Sequence, residues 1–203
     1  MHPRLRLALS VLVAATAAVV AVVAIASGNS SSSDTASTFQ GGTRPADTPP
    51  IAYSLRDQDG ELATQADLES KPAVVAFLYS TCENECPLIA QQIRGALDDL
   101  GKDSPPVVAF TVDPTHDTAS SAKEFLLKQR VSGRVRFLLG TQKQLEPVWR
   151  QFGIAPQEKG KEHSAYVVLL DSNGKQRVGF PLDKLSPEAL ASDLRKLSAE
   201  QQQ

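Results

Sequence analysis

Thiol, thioether and imidazole groups are scarce in this chain, which carries two cysteines, one methionine and three histidines among 203 residues. Two cysteines cannot make a disulfide scaffold or a four-cysteine zinc site. Met1 is the only methionine, so the folded part offers no thioether ligand. Charge of either sign is also short. The net value is −2, and no run of Lys and Arg forms a basic patch. Phosphate neutralisation needs such clustering, so the composition argues against nucleic-acid binding. Internal repeats are lacking as well.

Long apolar runs are absent with one exception. Arg4 and Arg6 precede an uncharged stretch over residues 7–26, almost all Ala, Val, Leu and Ile. A helix needs about 20 such residues to cross the hydrocarbon core of a bilayer. A cleaved signal has a shorter apolar region, although Ala24-Ile25-Ala26 resembles a small-residue cleavage site. The flanking arginines favour keeping the N-terminus in the cytoplasm. Residues 1–26 are therefore expected to be a membrane anchor or signal sequence, with an uncleaved anchor preferred and everything beyond it exported. Residues 27–50 are rich in Gly, Ser, Thr, Asp and Pro and read as a flexible tether. Residues 51–198 read as one domain, and residues 199–203 as a frayed tail.

Within the domain, periodicity predicts alternating strands and helices. Ala73-Val74-Val75-Ala76-Phe77-Leu78 is an unbroken apolar run, hence a buried strand. It leads through Cys82 and Cys86 into an amphipathic helix, with Pro87 expected in its first position and Gly101 just past its end. Residues 106–112 and 165–170 read as further buried strands, and residues 135–139 as a short one. Asp171-Ser172-Asn173-Gly174 turns the third strong strand into a hairpin. Thr118, Thr141 and Ser186 stand where helices begin. This order predicts an α/β fold, a mixed sheet with helices on both faces.

The two cysteines stand beyond the carboxyl end of the central strand, where open α/β sheets place their chemistry. At i and i+4 near a helix start, their sulfurs can chelate one ion or close a small disulfide. Glu83 and Glu85 disfavour a thiolate and favour a cation, while the helix N-terminus pulls the other way. An inert disulfide is the bland alternative. Its loop would be too short to constrain the unfolded chain much. Two thiolates with one imidazole suit Cu(I), and zinc would want a fourth protein ligand. His116, in a turn, and His163, just before a strand, are the candidate imidazoles, and composition does not separate them.

Several motifs in order resemble the SCO/SenC family of copper proteins that serve cytochrome c oxidase assembly. They are Leu55-Arg56-Asp57-Gln58-Asp59-Gly60-Glu61-Leu62, Tyr79-Ser80-Thr81-Cys82-x-x-x-Cys86-Pro87, Thr111-Val112-Asp113-Pro114-x-x-Asp117-Thr118 and His163-Ser164. The resemblance spans residues 51–198 and implies a thioredoxin-like fold. It implies copper held by Cys82, Cys86 and His163, with Cu(I) favoured and Cu(II) compatible. Asp113 matches an aspartate near the site, with a supporting role in positioning or partner contact. The implied function is a membrane-tethered, extracytoplasmic or periplasmic metallochaperone, without turnover of its own. It would deliver copper to a respiratory oxidase copper-site subunit or exchange it with another copper chaperone. The alternative is a thiol–disulfide oxidoreductase using a Cys82–Cys86 redox disulfide to keep a partner's copper-site cysteines reduced. Peroxide reduction ranks third, because no arginine lies near the cysteine motif.

Overall fold

The computed structural model describes residues 39–45, 48–157 and 166–201. The expected membrane segment, residues 27–38 and His163 lie outside the described residues. Among the described residues no helix is long and apolar enough to cross a membrane.

The elements are β1 (Gly42–Thr43), β2 (Ser54–Arg56), β3 (Leu62–Thr64), β4 (Ala73–Leu78), α1 (Glu85–Leu100), β5 (Val107–Thr111), α2 (Ala119–Lys128), β6 (Arg136–Leu138), α3 (Gln142–Phe152), β7 (Tyr166–Leu170), β8 (Gln176–Pro181) and α4 (Pro187–Glu200). Six strands form one mixed sheet in the order β1-β8-β7-β4-β5-β6. Strands β4, β5 and β6 run parallel, while β7 and β8 run antiparallel to their neighbours. β2 and β3 make a separate hairpin.

Strand β4 is buried along its whole length, as its continuous apolar run requires. Its period of two divides the core. Val74, Ala76 and Leu78 pack with the buried faces of α1, α2 and α4. Val75 and Phe77 pack with α3 and the β2–β3 hairpin. Helices therefore cover both faces, as the sequence predicts. The caps at Thr118, Thr141 and Ser186 each accept a backbone N–H from the first helical turn.

Three sequence expectations need correction. Pro87 is the third residue of α1 rather than the first. A helix leaves its first four N–H groups without an intrahelical partner, so proline's missing donor costs no ladder bond there. The fold also starts earlier than residue 51. β1 pairs with β8, and the buried Asp193 carboxylate accepts the N–H groups of Gln40 at 2.9 Å and Gly41 at 3.0 Å. Gly41 is required at this crossing, because a Cβ there would lie 2.5 Å from Val178 Cγ1. At the other end, α4 continues through Glu200, and the Gln201 amide donates to the Ser70 carbonyl at 2.7 Å. The expected frayed tail is thus part of the fold as far as residue 201.

Candidate dithiol metal centre

The site grows out of the carboxyl end of β4. After Leu78 the chain makes a turn, with the Cys82 N–H donating to the Tyr79 carbonyl, and then enters α1. Cys82 lies in the turn and Cys86 is the second residue of the helix. Both are free thiols. Cys86 is fully enclosed at 0% exposure, whereas Cys82 is 8% exposed. Only Cys82 lines the adjoining cleft of 650 Å³, together with Ser80, Glu83, Pro87, Gln91 and Glu124.

The backbone turns the two sulfurs into an unequal pair. The Cys86 N–H donates to Cys82 Sγ at 3.3 Å. The Cys86 thiol also donates to that sulfur, and this lowers the Cys82 pKa to about 5 against an opposing cost of burial. The backbone amides of Cys86 and Asn84 and the Tyr79 hydroxyl add to the same stabilisation of the thiolate. Cys86 is pushed strongly upward by the same shared hydrogen bond and by burial. The Tyr79 hydroxyl is raised as well, first by burial and then by its bond to Cys82. One sulfur is thus poised as a thiolate and the other held as a thiol. Charge from the flanking glutamates, expected to disfavour a thiolate, loses to these short-range donors at Cys82 and reaches Cys86 only as a minor contribution from Glu85.

The neighbouring strand ends at the same place. The Val112 N–H donates to the Leu78 carbonyl and extends the β4–β5 ladder by one bond. Asp113 follows, buried, with both carboxylate oxygens 2.9 Å from Nδ1 of the exposed His116. The contact with the thiol turn comes instead from Asp117. Its Oδ1 accepts the Ser80 N–H at 2.8 Å and the Ser80 hydroxyl, and its Oδ2 accepts the Thr111 hydroxyl. Asp117, Ser80 and Tyr79 were missed as site residues by sequence reasoning. The signal for Asp117 was the Asp113-Pro114-x-x-Asp117-Thr118 turn, in which the first aspartate drew the assignment.

His163 lies outside the described residues, but the chain on either side of residues 158–165 is described. The Gln157 N–H donates to the Val112 carbonyl at 2.8 Å, beside the end of β5. Tyr166 opens β7, where Val167 pairs with Ala76 of the antiparallel β4. Both flanks therefore stand at the sheet end that carries Cys82. Among the described residues no three His, Cys, Asp or Glu side chains converge as a metal cage.

A parallel β–α–β core, an antiparallel hairpin and a dithiol at the first strand–helix turn define a thioredoxin-like domain. The SCO1/SenC family model matches residues 42–199. The chain belongs to the SCO1/SenC family. Among curated relatives, a SCO2-like protein of Rickettsia conorii is 27% identical over 154 residues, covering 70% of this chain and 74% of its own. Among solved structures, Bradyrhizobium japonicum ScoI with copper bound superposes with a TM-score of 0.58 at 26% identity, over 73% of this chain and 99% of that one. BsSco, in which a disulfide switch was identified, is a member of the Sco family of cytochrome c oxidase assembly proteins. It superposes with a TM-score of 0.66 at 19% identity, over 78% of this chain and 98% of its own.

Proposed function

We propose that this protein is a membrane-tethered, extracytoplasmic copper chaperone. It holds Cu(I) through Cys82, Cys86 and His163 and hands it to a copper-site subunit of a respiratory oxidase. The observation that carries this reading is the free dithiol at the β4–α1 turn, with both flanks of the His163 segment at the same sheet end. His163 is three residues from Tyr166, the first residue of β7. The copper-bound state of Bradyrhizobium japonicum ScoI supports copper as the cargo. The chemistry agrees, since soft thiolates with imidazole select Cu(I). Release would proceed by ligand exchange starting at Cys82, the sulfur that reaches the cleft. Residues 1–26 would hold the domain at the membrane, with Asp113 supporting the site from the neighbouring strand end.

The test is Cu(I) retention by the reduced full chain against a chromophoric chelator. His163→Ala is expected to weaken binding at least tenfold, while its dithiol still reacts normally with a test disulfide. Copper retention equal to wild type would end the assignment of His163 as a ligand.

A second reading, a thiol–disulfide oxidoreductase, draws on the Cys82 pKa of about 5. A thiolate of that kind attacks disulfides at neutral pH, although its intrinsic nucleophilicity falls with its pKa. The disulfide switch in BsSco supports a Cys82–Cys86 disulfide as the oxidised form. A strongly reducing potential for this pair would favour the reductase reading.

A further inference from the structure

We propose that Asp117 is the positioning residue of the dithiol site, fixing the thiol turn against the end of β5. The inference rests on the copper reading for its purpose, though the device itself is visible in the hydrogen bonds. Asp117 accepts two bonds from Ser80, thirty-seven residues away in sequence, and a third from Thr111 of β5. All three donors are neutral N–H or O–H groups, and burial raises the pKa of this carboxyl. Asp117 is not spent on capping α2, because Thr118 supplies that cap. The Ser80 hydroxyl continues the chain of bonds to Ser121 Oγ at 2.8 Å, which fastens the thiol turn to the first turn of α2.

The same corner holds the other limb of the site. The Asp117 N–H and the His116 N–H both donate to the Asp113 carbonyl, and the Asp113 N–H donates to the Thr111 hydroxyl at 3.0 Å. One peptide unit back, the Val112 carbonyl accepts from Gln157, and the Thr111 carbonyl accepts from the Trp149 indole at 3.0 Å. Asp117 therefore locks the thiol turn to the strand end from which the 153–157 segment also hangs. Loss of its carboxylate removes both bonds that Ser80, two residues before Cys82, donates to it and leaves the Ser121 contact, which loosens the spacing of the sulfurs. Groups that orient metal ligands without touching the metal typically change affinity by about 10–100-fold. Asp117 acts through one further residue, so the lower end applies.

The experiment uses the full chain in detergent with Asp117→Ala, Asp117→Asn and Ser80→Ala. Two quantities are measured: Cu(I) affinity by chelator competition, and the equilibrium of the dithiol with oxidised glutathione. In the latter, the Cys82 thiolate and the Cys86 thiol lose two electrons and one proton as the disulfide forms, and one oxidised glutathione takes these with one proton from the buffer to become two reduced molecules. Asp117→Ala should weaken Cu(I) binding about tenfold and lower the disulfide-forming constant about tenfold, or about 30 mV for this two-electron couple. Asp117→Asn keeps an oxygen acceptor for the Ser80 N–H and should recover most of both. Ser80→Ala, which leaves the fold's backbone bond in place, should shift both by a few-fold. Wild-type values of both quantities in Asp117→Ala overturn the proposal. If that variant does not fold, wild-type values of both quantities in Ser80→Ala do so. If His163 proves not to be a ligand, the glutathione equilibrium still reads the positioning role without copper.

Discussion

At the residue scale, the two sulfurs are chemically identical and their surroundings make them different. Cys82 collects donors from the Cys86 thiol and from two backbone amides, while Cys86 keeps its proton and donates it in a hydrogen bond to Cys82. The sign of the pH dependence follows. Below about pH 5 Cys82 is a neutral thiol and unreactive; above it, the thiolate faces the cleft. Iodoacetamide labelling read by mass spectrometry should therefore modify Cys82 with a midpoint near 5, and leave Cys86 untouched until the protein unfolds. Cys86→Ala removes the largest stabilising donor and should move that midpoint up toward the ordinary thiol value of 9.0. An unchanged midpoint would mean that the backbone amides, not the partner thiol, set the reactivity. The residue pattern made the dithiol legible but misjudged its electrostatics. Glu83 and Glu85 are visible as letters, whereas the donors to Cys82 are backbone groups that every sequence contains.

At the scale of elements, what could be read was whatever has a period or a cap. The six buried residues of β4 and the caps at Thr118 and Thr141 all stand where the sequence puts them. What could not be read was set by distant partners. Gly42 and Thr43 carry no hydrophobic signal, and β1 exists because β8 offers an edge and Asp193 offers a carboxylate. The packing of α1 on α4 is of the same kind. Gly95 sits within α1, and a Cβ there would come within 2.8 Å of the Pro187 ring at the start of α4. Local propensity alone favours alanine over glycine by about 1 kcal/mol in a helix. Overpacking costs typically about 1–3 kcal/mol. Gly95→Ala should therefore be destabilising or neutral in urea unfolding, never stabilising by the full helix-propensity gain. A gain of that size would show that the two helices separate at no cost.

At the scale of the whole molecule, the folded unit begins earlier in the chain than composition indicates. The composition places that boundary at residue 51, whereas the compact unit begins at Phe39. Phe39 packs against the core on the side of α4, with the Lys196 ammonium 5.8 Å from its ring centroid. Arg44 reaches across to the Gln176 amide oxygen and the Phe152 carbonyl, so the segment also ties β8 to the end of α3. A chain starting at residue 51 loses β1 and these bonds, and leaves the fully buried Asp193 carboxylate with Lys196 as its remaining charge partner at 3.4 Å. Stripping partners from a buried charge costs roughly 3–5 kcal/mol when the pair is broken outright. With Lys196 retained, the expected loss is about 2–3 kcal/mol relative to a chain starting at residue 39. Urea unfolding of the two chains measures it, and Asp193→Ala in the longer chain should reproduce part of the loss. Equal stability would mean that residues 39–50 merely rest on the domain. The predicted loss would instead make residues 39–50 a strap fixed to the domain.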